Sequence, residues 1–121
     1  MTGRRSILTR AGQVLADPLW LAQTTHERMQ GLLGRSGLPA GQALLIERCR
    51  SIHTVGMQFA IDVAFLDDEG RVVRVARAVR PWRMAWGGPS ARFVVEAAAG
   101  WLDQLQVASG QRLSWAAPEL A

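Results

Sequence analysis

Lysine and tyrosine are absent from this 121-residue chain, and cysteine occurs once. All 14 basic residues are therefore arginine, and the net charge of +4 rests on guanidinium groups. These stay charged at any relevant pH and suit bidentate contact with carboxylates or phosphates. A single cysteine, Cys49, excludes an intramolecular disulfide and agrees with a reducing, cytoplasmic setting. No apolar run approaches the roughly 18 residues a membrane-spanning helix needs. Also missing are a glycine-rich phosphate loop, a nucleophile elbow and a dinucleotide-binding fingerprint. Two histidines and one cysteine at unrelated spacings match no zinc pattern, so neither metal nor cofactor is expected. The lack of lysine and tyrosine, beside abundant alanine, glycine and arginine, reads as compositional bias rather than a selected basic patch. No nucleic-acid recognition motif accompanies it, which leaves weak anion or nucleic-acid binding through the arginine-rich surface as a minor reading.

The length predicts a single domain over residues 1–121, with a core of roughly 7–115 and frayed termini. Arg4-Arg5 superficially resembles a twin-arginine export signal. Arg10, Gln13 and Asp17 interrupt the apolar stretch such a signal needs, so export is not expected. Residues 6–21 suit one or two strands broken at Ala11-Gly12 and Asp17-Pro18, with Pro18 at an edge or bulge. Thr24 and Glu27 have capping-box spacing, and the following Met29, Leu32 and Leu33 predict a helix from Thr25 to Leu33. ALLIERC, residues 43–49, alternates as a strand with Leu44 and Ile46 on one face.

The clearest hairpin spans residues 60–79. A three-residue loop of Asp68, Glu69 and left-handed Gly70 pairs Asp67 with Arg71 and sets Phe65 opposite Val73. On the other face this register brings Asp62 diagonal to Arg74 among small residues, making a shallow floor beneath some cover. Arginines at 71, 74, 77, 80 and 83 would form a stripe only on a helix; Gly70, Pro81 and the valines favour a strand. Residues 80–91 read as a long loop carrying Trp82, Met84 and Trp86, suited to a lid or an interaction surface. A strand over 91–100 ending near Glu96, a short helix with Trp101, Leu102 and Leu105 inward, and a final strand from SGQRLSW complete the chain. The overall expectation is a mainly β domain with some α, an antiparallel sandwich or barrel with one or two short helices.

The residues able to carry chemistry are few. Cys49 and His53 stand four apart, too far for contact along an extended strand. His53 and Thr54 lie where the chain enters the hairpin, and the Thr54 hydroxyl is placed to satisfy a backbone group. The favoured reading is a non-enzymatic binding or interaction module for a small polar or anionic ligand. Its candidate site comprises His53, Thr54, Asp62, Arg74, Trp82, Trp86 and Glu96. The alternative is a small enzyme using His53 with Asp62 or Glu96 as acid and base.

Three blocks, THERMQGLLGR, IHTVGMQFAIDVAFLDDEGRV and VVEAAAG, together resemble the small bacterial and archaeal proteins of domain of unknown function 192. The resemblance extends over roughly residues 11–115. His53-Thr54 occupies the usual Asn-Thr place of that family, Ala60 stands where proline is usual, and Asp62 matches its aspartate. Glu96 matches a glutamate ending the late strand, and Gly100 the glycine after it. The resemblance implies a compact β-rich sandwich or barrel and no particular activity. Many members carry a leader, which is not evident here.

Overall fold

A computed structural model describes residues 3–118. The frayed ends expected from the sequence fall partly on residues 1–2 and 119–121, outside those described. Among the described residues, nine strands form a seven-stranded mixed sheet and a small second sheet, accompanied by two short helices. In chain order the strands are β1 (Arg4–Arg10), β2 (Gln13–Ala22), β3 (Ala43–Glu47), β4 (Ser51–His53), β5 (Ile61–Leu66), β6 (Val72–Val79), β7 (Met84–Trp86), β8 (Phe93–Ala98) and β9 (Ser114–Ala116). Helix α1 (Thr25–Gln30) follows β2, and α2 (Trp101–Gln104) follows β8. The large sheet runs β6-β5-β8-β3-β2-β1-β9, and its β2–β3 pair is parallel.

This is an α+β fold, as the sequence indicates, with two corrections. The sheet is not purely antiparallel, because α1 and its following turns carry the chain over before β3 lies alongside β2. It is also not closed into a barrel. The β5–β6 hairpin tip touches the segment before β9 through Leu113 N–H to the Gly70 carbonyl (2.9 Å) and Val72 N–H to the Gln111 carbonyl (2.8 Å). Only the isolated Arg71–Arg112 bridge forms there, so the edge strands meet at a corner rather than along their length.

Alternation along β3, β5 and β8 divides the apolar residues between two faces. One core gathers Leu8, Leu45, Leu66 and Val95 beneath Trp101 and Leu102 of α2. The other gathers Leu44, Ile46, Phe65 and Val94 beneath Leu32, Ile52 and Met57. Burial of each such large side chain contributes about 1.5–3 kcal/mol.

Three local expectations change. Helix α1 has the reciprocal Thr24–Glu27 capping box but ends at Gln30, because Gly31 turns the chain with φ +49°. Met29 consequently points to solvent at 74% exposure, while Leu32 reaches the core from the turn. In the β5–β6 hairpin, Asp67 Oδ1 accepts the N–H groups of Glu69 and Arg71, both at 2.9 Å, and Gly70 takes φ +82°. The loop is thus as expected. Beyond it Leu66 pairs with Val72 but Phe65 with Arg74, so Val73 is an extra residue and the register slips by one. The bulge lets Val72 and Val75, three residues apart, pack against the same core. Finally, residues 80–91 are not simply a loop, because β7 within them pairs with β4 and seats Ile52 and Ala85 against the second core.

Replacing Gly70 with valine is expected to destabilise the fold by more than about 1 kcal/mol in urea unfolding. The residue has a left-handed backbone, and any Cβ there would run into the Leu113 carbonyl oxygen.

Candidate functional site

Asp62 answers a structural need. It is 1% exposed, and its partners are main-chain amides rather than an arginine. Oδ1 accepts the N–H of Ala78 (2.8 Å), and Oδ2 accepts those of Gly100 (3.0 Å) and Leu102 (2.9 Å). Ala78 lies in a second β6 irregularity, where Arg77 and Ala78 together oppose Asp62, and has φ +49°. The carboxylate therefore holds a strained bulge and the start of α2 at once. The expected Asp62–Arg74 pair does not form. Asp62 pairs across to Ala97 on the α2 side, whereas Arg74 pairs with Phe65 on the other, because of the Val73 bulge.

Thr54 is fully buried and equally committed. Its hydroxyl donates to the Arg80 carbonyl (2.6 Å) and accepts the Arg83 N–H (2.8 Å), while its own carbonyl accepts the Trp82 N–H (3.0 Å). It pins the chain that enters β7, which fits the backbone role read from the sequence. Trp82 and Trp86 are 66% and 58% exposed, and neither lines the cleft beside Glu96. They are not a lid over it.

Glu96 and His53 do come together. In β8, Val94, Glu96 and Ala98 share a face, and Glu96 stands between Leu44 of β3 and Val63 of β5. The cleft beside it, of about 90 Å³, is bounded by Met29–Leu33, Cys49, Ser51, Ile52, His53 and Met57. Gly31 passes close above, since a Cβ there would lie 3.9 Å from Glu96 Oε1. Glu96 is 3% exposed, and desolvation pushes its pKa up to about 7. None of the ion pairs among the described residues includes it. The nearby Arg28 is occupied elsewhere, with Nε on the Glu47 carbonyl (2.8 Å) and Nη2 on that of Arg48 (2.7 Å).

Cys49, on the same cleft, donates its thiol to the Ser51 carbonyl (3.0 Å). Burial raises its pKa, so the thiol stays protonated near neutrality and is poorly suited to nucleophilic attack. A larger depression of about 340 Å³ adjoins across Gln30, Gly31 and Leu33. Its acid, Glu27, accepts the Gln23 and Thr24 amides at 3.1 Å each and so serves the helix cap. Among the described residues no group of three or more His, Cys, Asp or Glu could hold a metal ion. No helix among them is long and apolar enough to cross a membrane.

Residues 6–115 match the family model DUF192, described as Uncharacterized ACR. The chain belongs to this family. A UPF0127 protein of Thermococcus sibiricus is 30% identical over 112 residues, covering 89% of this chain and 72% of the relative. Another, PF1050 of Pyrococcus furiosus, is 37% identical over 65 residues, or 54% of this chain and 55% of its own. Against that second relative the chain aligns with little more than half the length. Two solved structures share the DUF192 chain's fold. A Novosphingobium aromaticivorans protein of unknown function has TM-score 0.80 at 19% identity, covering 92% of this chain and 84% of its own. A Sinorhizobium meliloti protein, described as a proposed transcription regulator, has TM-score 0.81 at 21% identity, covering 95% and 97%. At such identities the likeness is one of fold.

Of the residues singled out from the sequence, His53 and Glu96 thus share a cleft, while Asp62, Arg74, Thr54, Trp82 and Trp86 do not line it. Gly31, Ser51 and Met57, which also line it, were not among the candidate site residues. The signal for Gly31 was a glycine inside a helical stretch, whose cost close packing must compensate.

The two carboxylates should respond oppositely to mutation. Asp62→Ala leaves three amides unpaired and is expected to cost about 3 kcal/mol or more, whereas Arg74→Ala should change stability by less than about 0.5 kcal/mol. Glu96 has its folded pKa raised from 4.5 to about 7. The folded state therefore holds its proton over a pH range in which the unfolded chain has lost it. The associated stability is fully present below pH 4.5 and declines as pH rises to about 7. Glu96→Gln should remove that decline, matching the parent at low pH and exceeding it by about 3 kcal/mol above pH 7, as read from denaturation midpoints across pH.

Proposed function

We propose that this chain is a binding module for a small polar ligand, seated in the cleft between the Gly31–Leu33 turn and the Cys49–His53 segment. The observation supporting this reading is Glu96, a buried carboxyl group with a cleft beside it and no ion-pair partner among the described residues. Burying such a group without compensation costs several kcal/mol, and an apolar residue at the same position would continue the face formed by Val94 and Ala98. A ligand presenting an ammonium, amide or hydroxyl donor would supply the missing partner. The cleft has room for several waters or a small polar head group, with His53 at its exposed mouth.

The same feature supports a second reading. A carboxyl with a pKa near 7 is suited to general acid–base catalysis, and His53 on the same cleft could exchange protons with a substrate. Asp62 drops out of that scheme because its oxygens are occupied by backbone amides.

A nuclear magnetic resonance screen of small amines, amides and polyols separates these possibilities. The binding reading expects at least one class to shift the His53 and Met57 signals, with the response lost in Glu96→Leu and weakened in His53→Ala. Compounds recovered chemically altered would favour the enzymatic reading. Unchanged spectra with all three classes, or shifts that persist in a folded Glu96→Leu variant, would remove the site.

A further inference from the structure

The segment from residue 48 to 53 contributes to two separate pockets. Cys49, Ser51, Ile52 and His53 line the Glu96 cleft. Arg48 and Arg50 instead line a separate open pocket of about 400 Å³ with Arg92 and the buried Ala91. Backbone pairing joins these stretches: Cys49 N–H donates to the Arg92 carbonyl (2.9 Å), and Gly87 N–H to that of Arg50 (2.8 Å).

Each guanidinium is anchored by part of its donor set. Arg48 Nη2 donates to the Gln23 carbonyl (3.1 Å), and Arg50 Nε to that of Ala91 (3.3 Å). Arg92 Nη1 donates to the carbonyls of Pro89 (2.9 Å) and Ala91 (2.8 Å). An arginine offers five N–H donors, so further donors remain on all three. No acidic side chain lines the pocket, and the ion pairs among the described residues involve Arg5, Arg77 and Arg112 instead. Arg48 also has φ +53°, uncommon for a residue with a side chain, and its carbonyl is held by Arg28. Three arginines thus line one pocket, each anchored to backbone carbonyls and none ion-paired among the described residues, while the neighbouring Glu47 carboxylate accepts the Gln23 side-chain amide (2.9 Å).

We propose that Arg48, Arg50 and Arg92 form an anion site that takes the phosphate group of a small phosphomonoester. Three guanidinium forks present more donors than the two oxygens of a carboxylate can engage, whereas a phosphate offers three terminal oxygens and close to two negative charges. The pocket is larger than inorganic phosphate alone requires, leaving space for the attached group.

The test uses the full chain, titrated with inorganic phosphate and with glycerol phosphate while arginine Nε–H signals are followed at constant ionic strength. Both probes should shift Arg48, Arg50 and Arg92, glycerol phosphate at the lower concentration. Arg50→Ala and Arg92→Ala should each weaken binding about tenfold or more. Arg74→Ala, an exposed arginine elsewhere, and Glu96→Leu should leave it unchanged, which separates this site from the Glu96 cleft. The proposal fails if neither probe binds at millimolar concentration or if chloride produces the same shifts. It also fails if a folded Arg50→Ala, Arg92→Ala double variant binds as the parent does.

Discussion

The Asp62 carboxylate ties the β6 bulge to the start of α2, two segments that each adjoin β5 but do not pair with one another. One oxygen takes an amide from the β6 bulge, and the other takes two from the start of α2. Helix α2 has four residues, too short to persist through its own hydrogen bonds, and its N-cap is Gly100, which has no side chain to offer. Asp62 supplies from β5 the acceptor that a capping side chain would otherwise provide. Trp101 and Leu102 can then close one face of the sheet, with the Trp101 indole N–H reaching the Leu15 carbonyl (3.2 Å).

Glu96 stands on the adjacent strand, one residue out of phase, and the consequence is opposite. Asp62 lies across from Ala97, and Val63 from Glu96, so alternation sends the two carboxylates to different faces. One meets three amides; the other meets a cleft. Buried acids of similar chemistry on neighbouring strands therefore have separate roles, the first in holding the fold and the second as the proposed anchor for a ligand. The arginines divide in a similar way. Several satisfy loop carbonyls, as Arg10 does with Gln106, Arg35 with Gly37 and Arg112 with Glu69, so the high arginine content is in large part a means of tying turns. Arg48, Arg50 and Arg92 do this too, around a shared pocket.

Much of the local structure was legible because its causes are local. The Thr24–Glu27 box, the Gly70 turn, the alternation in ALLIE and the inward faces of Trp101 and Leu102 all depend on residues within a few positions of one another. The family resemblance was legible too, from three blocks in a fixed order. The features that escaped depended on distant segments. The Val73 bulge sets Val72 and Val75 against the same core, and nothing within the hairpin specifies it. The β4–β7 pair joins strands of three residues each, too short to stand out from a loop.

The sequence by itself determined a β-rich chain with capped, glycine-punctuated connections, and it marked Asp62 and Glu96 as charges in apolar strands. Those features arise from side-chain periodicity and backbone preference, which act over a turn or a strand. Only the tertiary structure decided which face each carboxylate occupies, because the β5–β8 register sets Asp62 opposite Ala97 and Glu96 opposite Val63, and a slip of one residue would reverse the facing. It also decided that Asp62 would meet amides 16, 38 and 40 residues away, while Glu96 would border a small cleft close to Gly31. Partners so distant along the chain are selected by packing of the whole sheet, and no local propensity carries that information.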